Sequence, residues 1–200
     1  MSSTTSPQPE HRLALSQTVR DKAKTLRITG WISFWLQLFA TFAIVLSLIF
    51  AVTGRGVADE SNPGIGMGMF LATLGGVGAA FCVVLSFRFA RVGKRLLDPR
   101  VDRNPKKSNT VRWLKIGAIV GVVGAIVTLL GAGITASVLV AKTISQPPGT
   151  TLTQASHAVR ALDALVMVAN LNGIAAHFIG TLEAIWLFYR IGNPDDLGLT

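Results

Sequence analysis

The sequence has one cysteine, Cys82, in 200 residues, which excludes an internal disulfide and any CxxC zinc or redox motif. It lacks a nucleophile motif, a glycine-rich phosphate loop and a nucleotide fingerprint. Gly64, Gly66 and Gly68 have GxGxG spacing, but they open an apolar run and follow no strand. These absences leave no reading as an enzyme and no call for a bound cofactor. A secretory signal is missing too, because Met1 to Ile28 has no apolar core ahead of the first long apolar run. The same stretch, short and holding Glu10 and Asp21, makes a poor organelle transit peptide. The expectation is a bacterial-type protein inserted into a membrane without cleavage.

Charge is scarce, at 14% of residues, and it stands in blocks between apolar runs. Half of the residues are hydrophobic, and the mean hydropathy is +0.51. That combination indicates a membrane protein whose first partner is the lipid bilayer. The net charge of +9 would suit nucleic acid, but its placement follows the positive-inside rule instead, so no nucleic-acid partner is expected.

Four runs are long enough to span a hydrocarbon core, which takes about 20 apolar residues. They cover roughly 30–52, 64–87, 114–140 and 162–189. The fold class expected is all-α: an integral-membrane four-helix bundle built from two helical hairpins, with a short amphipathic N-terminal helix. Residues 1–28 read as a basic arm, 29–192 as the membrane domain and 193–200 as a tail. A basic loop at 88–112, broken by Pro99 and Pro105, joins the hairpins. The basic arm and this loop place both termini in the cytoplasm. Small residues at Gly68, Ala72, Gly76 and Ala80, and at Gly117 and Gly121, recur every four positions and suit close helix packing. Met67 and Met69, two apart, diverge on a helix and make no metal site.

The fourth span is the most polar. Asp163, Asn170 and His177 are seven apart and form one stripe, with Thr181 beside it. Asn172 and Glu183 lie on another edge. Gln37 is the strongly polar interior residue of the first span. Polar and ionisable groups in a hydrocarbon layer mark a protein interior, a water path or a partner. These seven residues are therefore the candidates for a substrate or ion pathway. His177 and Asp163 supply ligand types that suit ferrous iron, although about 21 Å of helix would separate them. Glu183 is open to two readings, an ion contact or a pair with Arg88 or Arg91. Asp163 could pair with Arg160.

The halves of the chain echo one another. Thr25-Leu26-Arg27 and Thr110-Val111-Arg112 precede the first and third spans, and Pro63-Gly64 and Pro148-Gly149 follow at equal distances. Phe89-Ala90-Arg91-Val92-Gly93 and Phe188-Tyr189-Arg190-Ile191-Gly192 close the second and fourth. The shared order points to a duplicated hairpin, as in parallel transporter repeats.

Ala161-Leu162-Asp163, Ala169-Asn170-Leu171-Asn172 and His177-Phe178-Ile179-Gly180 resemble a four-span family of cyanobacteria and plastids. Leu129-Leu130-Gly131, Val138-Leu139-Val140-Ala141-Lys142 and Gly30-Trp31-Ile32-Ser33-Phe34-Trp35 fit the same family, so the likeness runs from about Arg27 to Ile191. The chain differs from the family pattern at Val168 and Ala176, where polar residues are usual. Plant members of the family are the chloroplast inner-envelope permease, also described as a protein-import translocon subunit. The resemblance implies a cyanobacterial plasma- or thylakoid-membrane protein. It implies either iron transport or a non-transporting role in a translocation or assembly complex. A permease of four helices would act as a homo-oligomer; the alternative is a complex subunit.

Overall fold

A computed structural model describes residues 9–56, 63–97, 107–145 and 161–192. They form four helices, α1 (Pro9–Gly56), α2 (Pro63–Leu96), α3 (Lys107–Ile144) and α4 (Ala161–Gly192). All four are long and apolar enough to cross a membrane. A helix satisfies its backbone polar groups within the segment, which a hydrocarbon layer demands. Side-chain hydroxyls follow the same logic. Thr53, Thr73, Thr135, Ser137 and Thr143 each donate to the carbonyl four residues back, on the same helix. Pro63 stands at the first position of α2, where its missing N–H costs nothing.

The N-terminal amphipathic helix is not a separate element. It continues into the first span as one helix of 48 residues. No proline or glycine interrupts Glu10 to Thr29, and Gly30 is held against the backbone of Ala90 and Ser86. The basic loop is likewise shorter than expected, because α2 runs on to Leu96 and α3 begins at Lys107. The basic residues at both ends of that loop have high helix propensity and continue the turns. Pro99, Pro105, Pro148, Arg160 and the tail at 193–200 lie outside the described residues.

The helices form a ring in chain order. The two largest interfaces are within the hairpins, α3 with α4 and α1 with α2, and α2 also meets α4 across the centre. Each helix buries a seam stepping alternately three and four residues. On α1 the seam contains Ala23, Leu26, Gly30, Ser33, Gln37, Ile44, Ser47 and Ala51. On α2 it runs Ile65, Gly68, Ala72, Gly75, Ala79, Cys82, Ser86, Phe89 and Gly93. Leu114, Gly117, Gly121, Gly124, Thr128, Gly131 and Thr135 line α3; Asp163, Val166, Asn170, Gly173, His177, Gly180, Ala184 and Leu187 line α4. A 3.5-residue repeat keeps a seam facing its partner along a left-handed bundle.

This seam replaces the four-residue ridges as the packing rule. A step of four advances 400°, so such a row drifts by 40° each time. Gly68 faces Thr135 and Gly131 of α3, Ala72 is in the core, Gly76 faces Ile44 of α1, and Ala80 is exposed. Gly117 and Gly121 belong to the true seam, opposite Leu85 and the His177 carbonyl respectively.

The apolar core has three layers. Leu26, Leu85, Phe89, Leu114 and Leu187 fill the basic end. Ile44, Ala72, Ala79, Ala169 and Ala176 fill the middle. Ala51, Ile65 and Val166 close the far end.

Candidate functional site: a polar column on the fourth helix

Asp163, Asn170, His177 and Glu183 all point into the bundle, none more than 5% exposed. Burying them needs room, and glycine on the facing helices provides it. His177 lies at a carbonyl of α2, with Nε2 3.0 Å from the Gly75 oxygen. A Cβ on Gly124 of α3 would overlap the imidazole ring, and one on Gly78 would stand 3.0 Å from its Cε1. One heptad away the arrangement repeats. Asn170 donates Nδ2 to the Gly68 carbonyl at 3.1 Å and to the Val166 carbonyl of its own helix at 3.0 Å. Its Oδ1 occupies the place of a side chain on Gly131.

Towards the basic end, three helices meet at one carboxyl group. Glu183 Oε2 accepts from the Ser86 hydroxyl of α2. Gln37 of α1 donates Nε2 to Ser86 Oγ at 2.8 Å and to Glu183 Oε2 at 3.3 Å. Ser33, one turn before Gln37, is buried on the same face of α1 and brings a further hydroxyl near Glu183. Gly180 lets the Gln37 amide and Cys82 come in close, at 3.2 and 3.5 Å from where its Cβ would be. The space beside this cluster, bordered by Leu85, Gly117 and Ala184, is about 10 Å³.

Asp163 is different in kind. It forms an ion pair with Lys142 of α3 at 2.6 Å, at the end of the bundle away from the basic residues. Arg160, the partner expected from sequence, lies outside the described residues. Neither arginine considered for Glu183 is near it in role. Arg88 sits over the Trp113 ring at 4.4 Å, and Arg91 over Phe87 at 4.5 Å. Among the described residues Glu183 has only neutral hydrogen-bond partners.

The other two candidates contribute less. Thr181 is half-buried and donates to the His177 carbonyl at 2.8 Å, beside Gly121. Asn172 donates to the Val168 carbonyl at 2.9 Å and stays on its own helix. His177 and Asp163 do not share a metal site. They stand four turns apart with separate partners, and no cluster of three or more metal-ligating side chains occurs among the described residues.

Five buried polar atoms have no hydrogen-bond partner among the described residues: Gln37 Oε1, Thr41 Oγ1, Asn170 Oδ1, His177 Nδ1 and Glu183 Oε1. They lie on α1 and α4, and Asn170 to Glu183 spans about 20 Å of helix axis. Such atoms are few in native proteins and call for a reason. Ser86, Ser33, Thr41 and Lys142 were missed by the sequence reading. Ser86 carried a signal, being a hydroxyl seven residues from both Ala79 and Gly93 on the α2 seam.

Comparison with known proteins agrees with the family resemblance. Residues 16–192 match the model of a family described as "Protein of unknown function (DUF3611)". The chain is 31% identical over 192 residues to "Protein TIC 21, chloroplastic" of Arabidopsis thaliana. That match covers 90% of this chain and 62% of the plant protein, so the chain spans less than two thirds of its relative's length. No solved structure matches. With four membrane-crossing helices and a match over nearly its whole length, the chain is an integral multi-pass membrane protein belonging to the DUF3611 family.

Proposed function

We propose that the protein is a membrane transport component that passes a cation, with ferrous iron or another divalent metal as the substrate, past the Glu183 cluster. The single observation behind this reading is a buried carboxyl inside a spanning segment with no cationic partner among the described residues. An ionisable residue within a membrane helix is costly, and such residues mark ion pathways and proton relays. Glu183 Oε1 and Gln37 Oε1 are unused acceptors on the same cluster. Oxygen donors of this kind, with an imidazole about 9 Å further along the axis, suit a hard or borderline divalent ion. The basic ends of the helices face the cytoplasm in this reading, by the positive-inside rule. The membrane is cyanobacterial, and the working unit is a homo-oligomer.

One observation favours a second reading, a non-transporting subunit of a membrane complex. The helices close tightly round the column, and the 10 Å³ beside Glu183 holds one water at most. The exposed aromatic face of α1, with Trp31, Trp35, Phe39 and Phe42, would then receive a partner helix.

Flux of manganous and ferrous ion into proteoliposomes separates the two. Transport predicts flux by the wild type and a loss of about tenfold or more in Glu183→Gln, with helicity and gel-filtration profile retained. His177→Ala is expected to lower flux as well. Absence of wild-type flux, with a defined complex co-purifying, overturns the transport reading.

A further inference from the structure

Outside the column, a recess lies on the outer side of α1 and α2, at the basic end of the bundle. It measures about 590 Å³. Lys24 and Arg27 of α1 and Arg91 and Lys94 of α2 line one end of it, and Trp31 and Ile32 line the other. No carboxylate lines it among the described residues. The floor is fixed by two glycine contacts. A Cβ on Gly30 would stand 2.7 Å from the Ala90 nitrogen, and one on Gly93 would stand 2.5 Å from the Arg27 nitrogen. The two backbones therefore touch, and the longer side chains are pushed apart to either side as walls. Arg91 is held at the rim by its position over the Phe87 ring.

We propose that this groove binds an anionic lipid, its headgroup among Lys24, Arg27, Arg91 and Lys94 and its first acyl carbons along Trp31 and Ile32. Two features carry the assignment. Four cations from two helices converge, and no carboxylate lines the recess among the described residues. The apolar half continues directly from the cationic half and opens sideways to lipid, as basic pockets between membrane helices do when they take anionic headgroups. A soluble anion would use the charged half only.

The test is native mass spectrometry of the full-length protein from bilayers of mixed phosphatidylglycerol and phosphatidylcholine. One phosphatidylglycerol per chain is expected to survive detergent removal, with phosphatidylcholine lost. Lys24→Gln with Arg27→Gln, and Arg91→Gln with Lys94→Gln, should each lower retention about tenfold. Arg95→Gln with Arg112→Gln, on the same side of the membrane but outside the groove, should leave it unchanged. If a double variant fails to fold by gel filtration, Lys94→Gln alone serves, with about a threefold loss expected. Equal retention of phosphatidylcholine, unchanged retention in the groove variants, or displacement of the lipid by inorganic phosphate at equal concentration would each overturn the proposal.

Discussion

His177 on α4 meets the Gly75 carbonyl on α2 at 3.0 Å, and Thr128 of α3 fills the space where a side chain on residue 75 would stand. Asn170 meets Gly68 in the same way, and both pairs are 102 residues apart in the chain. Two parallel helices thus run in register with a heptad step. The antiparallel α3 answers with Gly131 opposite Asn170 and Gly124 opposite His177, also seven apart. Asn170 and His177 thus each have a glycine slot on α3.

The slots give the first prediction. Gly124→Ala places a methyl group in the His177 ring and should destabilise the bundle by about 1–3 kcal/mol. Gly133→Ala and Gly66→Ala, where a Cβ has nothing within 4 Å, should cost little. Unfolding in mixed detergent and dodecyl sulfate micelles measures the difference, and equal losses at residues 124 and 133 would contradict the packing described.

At the far end, Lys142 and Asp163 join α3 to α4. Removing one partner, as in Lys142→Ala, should cost about 1.5–3 kcal/mol, the range for hydrogen bonds to charged groups. The double variant Lys142→Ala with Asp163→Ala should be less destabilised than the sum of the singles. A double-mutant cycle on the same unfolding assay reads the coupling, and strict additivity would remove the ion pair from the account.

Ser86 is shared by Gln37 and Glu183. Ser86→Ala leaves both without that hydroxyl in a buried site and should cost about 1–3 kcal/mol. Thr73→Ala provides the comparison, since that exposed hydroxyl bonds only its own helix and should be close to neutral. Similar midpoints for the two variants would argue against the three-helix cluster.

Much of the architecture could be read from the sequence, for physical reasons. A spanning helix needs length and apolarity, and both are local. The stripe of Asp163, Asn170 and His177 was visible because their spacing of seven is also the spacing of the bundle seam. What local spacing could not supply was which helix each polar edge would meet. Gln37, Ser86 and Glu183 come from three helices, and only the bundle brings them together. The four-residue glycine rows do pack against neighbouring helices, but not along a single one, for a related reason. Position 76 looks equivalent to 68 by spacing, yet the accumulated turn carries it from α3 round to α1. The separate N-terminal helix was inferred from an amphipathic pattern, and a change from an amphipathic to an apolar stretch does not end a helix when no breaker intervenes.

The enclosure of the polar face of α4 is tested most directly by a cross-link. A Cβ on Gly180 would lie 3.5 Å from the Cβ of Cys82 on α2, within the range that a disulfide requires. Gly180→Cys, oxidised in membranes with copper-phenanthroline, should therefore form an intramolecular disulfide that blocks alkylation of both thiols. Phe178→Cys, on the exposed face, should not. Rapid bridging at residue 180 alone is the predicted result; bridging at 178, or none at 180 in a folded protein, would mean that α4 turns its carboxyl, amide and imidazole groups elsewhere.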